Sequence, residues 1–174
     1  MTRQLHHYIA GQARPGAGGR NGEVFDPATG QVSAHVPLAS GAEVRAAVDA
    51  AQAAFPGWAA TPPLQRARVM FRLRALIERD ADVLARLITS EHGKTLSDAR
   101  GEVTRGMEVV EFAAGIPHLL KGEYSAAVGR DVDSWSERMP LGVVAGITPF
   151  NFPVMVPLWM APVALACGNS FVLK

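Results

Sequence analysis

The longest uncharged stretch of the chain lies between Arg138 and Lys174. Its apolar positions run almost continuously instead of alternating with polar ones, as in strands that are covered on both faces of a sheet. A Val- and Gly-rich run, Leu141–Ile147, comes first, and Gly168-Asn169 separates a long apolar segment from the short run Ser170–Leu173. Because a glycine commonly follows the end of a helix, the stretch predicts a strand, a helix and a second strand.

A membrane-spanning segment is the alternative, since about 20 mainly apolar residues are enough to cross a bilayer. Pro153 suits the first turn of a helix, whereas Pro157 and Pro162 each remove a backbone hydrogen bond and argue against one unbroken span. Asn151 and Asn169 would be awkward at bilayer depth. We therefore predict a buried strand–helix–strand unit and no membrane association.

Helical periodicity predicts four amphipathic helices before this stretch. The first helix is predicted to start at Ser40 and to end at Pro56-Gly57, and the second to start at Thr61-Pro62 with Thr61 as its cap. The third is predicted to start with Asp80 as its cap and to end at Gly93, and the fourth to cover about Ser97 to Ile116. Ser40 and Glu43 form a capping box. The predicted apolar faces contain Val44, Ala47, Val48, Ala51 and Phe55, then Leu64, Ala67, Phe71 and Ile77, then Val83, Leu84, Leu87 and Ile88, and lastly Val103, Met107, Val110 and Ala114. We expect the arginines of the second helix, Arg66, Arg68, Arg72, Arg74 and Arg79, mostly to face water.

Short strands are predicted on both sides of the helices. Leu5–Ala10 and Gln31–Val36 precede them, and Tyr124–Gly129 and Asp133–Met139 follow them. Gly129-Arg130-Asp131 lies between the latter two strands, and in the second of them Ser134, Ser136 and Arg138 alternate with Trp135 and Glu137, which predicts a two-faced β-ribbon.

Charge, cysteine and histidine content restrict the classes of function. The formal net charge is +1 with no acidic or basic block, so nothing predicts binding to nucleic acid or to a membrane surface. The single cysteine, Cys167, allows no internal disulfide, which favours a cytoplasmic location. It lies in an apolar run, where a free cysteine usually behaves as a small buried hydrophobe. The five histidines form no metal-ligand pattern with a nearby acid, and we predict no metal site.

The segment Thr148-Pro149-Phe150-Asn151-Phe152-Pro153, with the apolar segment and Gly168–Lys174 after it, closely resembles the aldehyde dehydrogenase superfamily. Phe150, where most members carry Trp, and the run ITPFNFPVMVPLWM are similar to the CoA-acylating methylmalonate-semialdehyde dehydrogenase branch. The resemblance covers the whole chain, but the chain covers only the leading part of such an enzyme. It implies an α/β fold: an incomplete doubly wound cofactor-binding domain with a helical layer and an oligomerisation β-ribbon.

The resemblance also implies a division of the chain. Residues 1–122 would supply the first strands and helices of the cofactor-binding domain, and residues 123–140 a ribbon that joins a neighbouring subunit in a homo-oligomer, a dimer or tetramer. Residues 141–174 would form the first strand–helix–strand unit of the cofactor sheet. Lys174 closes a strand, whereas a doubly wound sheet needs several further strand–helix units. We therefore expect the sequence to be truncated.

Five site residues follow from the resemblance. Asn151 would point its side-chain amide at the oxygen of the aldehyde under attack, where an N–H stabilises developing negative charge; the alternative is that it only caps the next helix. Lys174 would donate to the adenine-side ribose of NAD, the alternative being an ordinary solvated lysine. The backbone around Ile147, Thr148 and Phe150 would lie along the nicotinamide half of the cofactor.

Arg105-Gly106 is the candidate for recognition of the substrate. Gly106 costs about 1 kcal/mol in a helix interior, which predicts a close approach by another element. In the superfamily this helix borders the substrate tunnel, and the substrate that the resemblance implies carries a carboxylate, which Arg105 would hold as a two-pronged donor. An ion pair within the helix to Glu102 or Glu108 is the alternative, and both stay open.

The implied reaction is the oxidation of methylmalonate or malonate semialdehyde by NAD, with CoA as co-substrate, to propionyl-CoA or acetyl-CoA and CO2. By resemblance the nucleophilic cysteine and the general base lie beyond residue 174, so the chain alone is expected to be inactive. Two alternatives remain: a hydrolytic NAD(P)-dependent enzyme, for example one for succinate semialdehyde, and a non-catalytic assembly fragment.

Overall fold

The computed structural model describes residues 2–174. Its elements in chain order are β1 Arg3–Gln4, β2 His7–Ile9, β3 Gln12–Arg14, β4 Asn21–Phe25, β5 Val32–Pro37, α1 Gly41–Ala59, α2 Pro63–Arg79, α3 Ala81–His92, α4 Leu96–Ala114, α5 Ile116–Leu119, β6 Tyr124–Gly129, β7 Val132–Trp135, β8 Val143–Gly146, α6 Met155–Ala166 and β9 Ser170–Leu173. The mixture of helices and strands confirms the predicted α/β class.

The strands form four small sheets among the described residues. β1, β5 and β4 make a sheet in that order, with β1 parallel and β4 antiparallel to β5. β2 and β3 form a hairpin, as do β6 and β7, so the predicted ribbon is confirmed, although its second strand ends at Trp135. β8 and β9 are parallel and are joined by α6, which confirms the predicted strand–helix–strand unit.

The core lies between α2, α3, α4 and α6, with α4 in contact with the other three. Its buried apolar side chains are Met70, Ile77, Ala85, Ile88, Ala99, Val103, Val110, Ala113, Ala114, Ile116 and Ala166. Five of them lie on one face of α4, so the helix turns a stripe of small and branched residues inward. This arrangement places the second half of α4 directly beside α6.

The first helix continues past its predicted end. Pro56 and Gly57 lie inside α1, which ends at Ala59. The indole Nε1 of Trp58 donates to the Leu165 carbonyl over 2.9 Å and fixes this last turn to α6. Tertiary contact therefore outweighs the helix-breaking tendency of Pro and Gly. The predicted capping box at the other end is confirmed.

The side-chain caps predicted for α2 and α3 are not formed, although α3 does start directly after Asp80. The Thr61 hydroxyl donates to the Gly57 carbonyl of the preceding helix and does not cap α2. Asp80 pairs with Arg79 at 2.7 Å and makes no side-chain hydrogen bond to α3. Both side chains bind partners that are close to them in sequence instead. Gly93 ends α3 in the left-handed conformation, φ 85°, as predicted.

The burial of several helix residues also differs from the prediction. Leu64 and Phe71 on α2 are exposed, as are Val83 and Leu87 on α3 and Val44 and Val48 on α1. Arg66, expected in water, is buried and donates to the Ala59, Thr61 and Ala166 carbonyls. A guanidinium can be buried here because helix-end carbonyls accept its hydrogen bonds.

The sixth helix begins at Met155, two residues later than predicted, and Pro162 lies inside it. Gly168, with φ 95°, follows its last turn as predicted. Across residues 2–174, every helix is too short or too polar to cross a membrane.

Candidate functional site

The carboxyl ends of β8 and β9 form one rim of the candidate site. The Lys174 N–H donates to the Gly146 carbonyl over 2.8 Å, and the Thr148 N–H donates to the Lys174 carbonyl over 3.0 Å. The two strands are thus joined up to their ends, and the Lys174 side chain is exposed at the rim. This is the edge where open α/β sheets bind ligands. Ile147, 74% exposed, and Phe150, 90% exposed, stand on the same edge.

Asn151 lies on the segment that leads from β8 into α6. The residue is exposed, and no hydrogen-bond partner of its carboxamide is found between residues 2 and 174. Its alternative role as a helix cap is not observed, because α6 begins at Met155 with no side-chain cap from this segment. The carboxamide is therefore free to donate to a bound molecule.

A carboxylate from α4 takes the capping position that Asn151 does not fill. One Glu102 oxygen accepts from the N–H groups of Val154 and Met155 over 2.8 and 3.1 Å. Its other oxygen pairs with Lys94 Nζ at 2.5 Å. Burial alone would raise the pKa of Glu102, but the bonds from Lys94 and the two N–H groups outweigh it and hold that pKa below its ordinary value. Glu102 is therefore ionised at neutral pH.

Arg105 and Asn151 line the same open depression, about 340 Å³ in volume. Its lining is completed by His92, Lys94, Asp98 and Phe152. Arg105 is exposed and, within the described part of the chain, pairs with neither Glu102 nor Glu108. The alternative of an ion pair within the helix is thus not observed. The Arg105 guanidinium and the Asn151 carboxamide, both unpaired within residues 2–174, therefore belong to residues that line one depression.

Gly106 allows the close contact that brings the two sides of the depression together. A Cβ at this position would lie 2.8 Å from Leu158 Cδ1, 3.3 Å from Leu158 Cβ and 3.4 Å from the Met155 Cα. The predicted close approach is confirmed, and the approaching element is α6. Because Arg105 precedes this glycine, the contact sets the distance between its helix and the start of α6.

Residues 14–174 match the model of the aldehyde dehydrogenase family. The chain belongs to the aldehyde dehydrogenase family. This confirms the resemblance, and the rim of β8 and β9 and the depression are accordingly parts of an aldehyde dehydrogenase fold.

Relatives of this aldehyde dehydrogenase chain carry more specific names. Malonate-semialdehyde dehydrogenase from Pseudomonas aeruginosa is 55% identical over 170 residues, which are 98% of this chain and 34% of the relative. A Caenorhabditis elegans protein, whose assigned name is mitochondrial acylating methylmalonate-semialdehyde/malonate-semialdehyde dehydrogenase, is 57% identical over 152 residues, 87% of this chain and 29% of the relative. The chain spans about a third of the length of the curated relatives it matches.

A solved structure of the same family is similar to this chain in fold. A Sinorhizobium meliloti 1021 protein, assigned as a methylmalonate-semialdehyde dehydrogenase and complexed with NAD, matches with a TM-score of 0.98 and 49% identity. The match covers 100% of this chain and 35% of that one. The fold is therefore the N-terminal part of the aldehyde dehydrogenase fold.

Cys167 is a poor nucleophile for an aldehyde dehydrogenase. It is partly buried at the end of α6. Burial raises the pKa of its thiol, and the nearby Arg66 charge only partly offsets this. The thiol is therefore protonated at neutral pH, in agreement with its prediction as a small hydrophobe. No group of three His, Cys, Asp or Glu side chains within residues 2–174 is arranged to hold a metal ion.

Lys94, Glu102 and His92 were missed as site residues by the sequence analysis. A signal existed for Glu102, because it lies three residues after buried Ala99 and four before buried Gly106, on the inward stripe of α4. A carboxylate at such a position is costly unless it is paired. No comparable signal marked His92, the last residue of α3, or Lys94, which lies between α3 and α4.

Proposed function

We propose that an enzyme of the relatives' length that contains residues 1–174, called the full-length enzyme below, is an NAD-dependent, CoA-acylating methylmalonate- or malonate-semialdehyde dehydrogenase. The semialdehyde, NAD⁺ and CoA would give propionyl-CoA or acetyl-CoA, CO2 and NADH. The names of the relatives support the substrates, and the word acylating in the Caenorhabditis elegans name supports CoA.

The observation that carries this proposal is the shared depression of Asn151 and Arg105. The substrate has an aldehyde and a carboxylate a few bonds apart. Asn151 offers N–H donors, which suit the negative charge that develops on the aldehyde oxygen. Arg105 offers a planar pair of donors, which suits a carboxylate. One compact substrate would engage both, whereas an aldehyde without a carboxylate would engage only Asn151.

The strand ends provide residues of the right chemistry for NAD. The Lys174 ammonium has three donors for ribose hydroxyls, and Ile147 and Phe150 expose apolar surface on the same edge, where Thr148 also lies. When bound, NAD supplies the acceptor for the hydride that leaves the aldehyde carbon. The residues at this rim therefore fit the cofactor.

The nucleophile and the general base are assigned to parts of the full-length enzyme outside residues 1–174. The raised pKa of Cys167 supports this assignment, because the attacking species must be a thiolate. A polypeptide of these residues alone is accordingly expected to be inactive. We propose a cytoplasmic location, because the one cysteine of residues 1–174 allows no disulfide among them.

The β6–β7 ribbon is proposed to join a second copy in a homo-oligomer. Every residue of both strands is exposed, including Tyr124, Val128, Val132 and Trp135. An exposed two-stranded edge with apolar side chains favours pairing with another sheet.

The substitution Arg105→Leu in the full-length enzyme tests the substrate assignment. The KM for malonate semialdehyde should rise roughly 10- to 100-fold, because a hydrogen bond to a charged group contributes about 1.5–3 kcal/mol. The KM for propanal, which has no carboxylate, should not change. Arg100→Leu is the matched control, since Arg100 lies on the same helix and pairs with Asp82 outside the depression. An unchanged KM for malonate semialdehyde would show that Arg105 is not the clamp.

The same assay separates the acylating reaction from the hydrolytic alternative. With CoA present, an acylating enzyme forms the acyl-CoA, and its steady-state rate depends on the CoA concentration. A hydrolytic enzyme forms the free acid at the same rate with or without CoA, and that result would favour the alternative.

A further inference from the structure

Lys94 makes two contacts with the segment that carries Asn151 and one with Glu102, which binds the same segment. The side chain is only 11% exposed. Its Nζ donates to Glu102 Oε2 over 2.5 Å and to the backbone carbonyl of Asn151 over 2.9 Å. The same ammonium lies 4.4 Å from the centroid of the Phe152 ring, within the range of a cation–π interaction.

Glu102 completes the hold on this segment from the other side. Its side chain is 0% exposed, and its second oxygen binds the N–H groups of Val154 and Met155. Lys94 and Glu102 together, the Lys94–Glu102 pair, thus bind the backbone at Asn151, Val154 and Met155. The Asn151 carboxamide is not among the groups that they engage.

A helix cap alone does not account for this arrangement. Glu102 by itself would satisfy the first N–H groups of α6. Lys94 adds a bond to the carbonyl of Asn151 itself, on a stretch where residues 150–154 form turns and a bend, not regular structure. Pro153 has no N–H that could help to fix this stretch. The pair therefore restrains the backbone whose position decides where the Asn151 amide points.

We infer that the Lys94–Glu102 pair positions Asn151, so that its carboxamide meets the oxygen on which negative charge develops. Lys94 and Glu102 are positioning residues, and the inference rests on the proposed function. Electrostatic stabilisation of this kind requires donors that are held in place before the reaction. A displacement of about 1 Å can lower a rate by about 100-fold.

The substitution Lys94→Met is the obvious test but leaves Glu102 buried without its counter-charge, which threatens folding. The double variant Lys94→Met/Glu102→Gln, called the neutral pair below, removes both charges. The carboxamide oxygen of the introduced glutamine still accepts from the start of α6, so the cap is kept, whereas the bond to the Asn151 carbonyl is lost. Lys121→Met, at an exposed lysine outside the depression, is the matched control.

The experiment compares four full-length enzymes: wild type, the neutral pair, Asn151→Ala, and the neutral pair combined with Asn151→Ala. The neutral pair should lower kcat for malonate semialdehyde by about 10- to 100-fold, with the KM for NAD and the Tm close to those of the Lys121→Met control. In the Asn151→Ala background the neutral pair should lower kcat by less than about twofold, because there is no amide left to position.

Two results would overturn the inference alone, and a third would overturn it together with the proposed function. If the neutral pair lowers kcat by the same factor in both backgrounds, its role is structural, and the proposed function stands without it. If the neutral pair leaves kcat unchanged, Asn151 needs no such support. Should Asn151→Ala itself leave kcat unchanged, the oxyanion role in the proposed function fails, and the inference fails with it.

Discussion

The two halves of the candidate site differ in how much of their structure this chain supplies. At the depression between α4 and the segment before α6, Asn151 is restrained by Lys94 and Glu102, and the helices are in close contact at Gly106. At the rim of β8 and β9, Lys174, Ile147 and Phe150 are exposed, and backbone bonds from Lys174 to Gly146 and Thr148 join the strand ends. One half is built from buried side-chain contacts and the other from main-chain geometry.

This difference indicates different demands on the two halves. A group that acts on developing charge must be held to within a fraction of an ångström, since its effect depends on geometry in the transition state. Donors to a cofactor can adjust as it binds, because a flexible lysine on a rigid strand end keeps reach and charge. We therefore expect substitutions at Asn151 and at the groups that restrain it to change kcat, and substitutions at the rim to change cofactor affinity.

The largest effect is expected from Asn151→Ala in the full-length enzyme. Loss of one donor to a developing oxyanion lowers kcat by about 10²–10³. The dissociation constant for NAD should not change, because the carboxamide belongs to the depression. Steady-state kinetics and NAD titration measure the two quantities. Asn21→Ala, at an exposed position on β4, is the control. An NAD constant that rises as strongly as kcat falls would break the division between the two halves.

A smaller effect, of the opposite kind, is expected from Lys174→Met. Removal of a charged donor should raise the dissociation constant for NAD by roughly 10- to 100-fold, since such hydrogen bonds contribute about 1.5–3 kcal/mol. At saturating NAD, kcat should stay within about twofold of the wild-type value, a ratio worth less than about 0.5 kcal/mol. Lys121→Met again serves as the control for the loss of a lysine. Unchanged NAD affinity would leave Lys174 as an ordinary solvated residue.

The strand–helix–strand unit could be predicted because its signals are local. A charge-free run, a helix-ending Gly168 and two short Val-rich segments need no knowledge of neighbours. The same is true of the Ser40–Glu43 capping box, whose two hydrogen bonds are made within one turn. The close approach at Gly106 was also predictable, because a glycine lowers the stability of a helix interior and therefore indicates a reason for its presence there.

What could not be predicted depends on partners far apart in sequence. Burial of Arg66 depends on the Ala166 carbonyl of α6, 100 residues away, and α1 passes Pro56 because Trp58 binds Leu165. The Lys94–Glu102 pair also needs the start of α6 as its third member. Periodicity reports which face of a helix is apolar, but not which polar side chain finds a buried acceptor.

The smallest effect is expected at the α4–α6 contact, from Gly106→Ala compared with Gly101→Ala. Both glycines lie in α4, and each change gains up to about 1 kcal/mol of helix propensity. At Gly106 the new methyl group would meet Leu158 and Met155 within 3.4 Å, whereas at Gly101 its nearest neighbour is Arg105 Nη1 at 3.7 Å. Leu158 Cδ1 can rotate away, but Leu158 Cβ, at 3.3 Å, moves only with its backbone, so α6 must shift by a few tenths of an ångström.

Overpacking of this kind costs about 1–3 kcal/mol, which exceeds the gain in propensity. Gly106→Ala should therefore lower the stability of the full-length enzyme by about 1 kcal/mol, while Gly101→Ala raises it by about 0.5–1 kcal/mol. Thermal or denaturant unfolding of the two variants measures the difference. The shift of α6 would also displace Asn151, so kcat should fall in Gly106→Ala only. Equal gains in stability would mean that the contact is looser than the distances indicate, and the restraint on the depression would then rest on the Lys94–Glu102 pair alone.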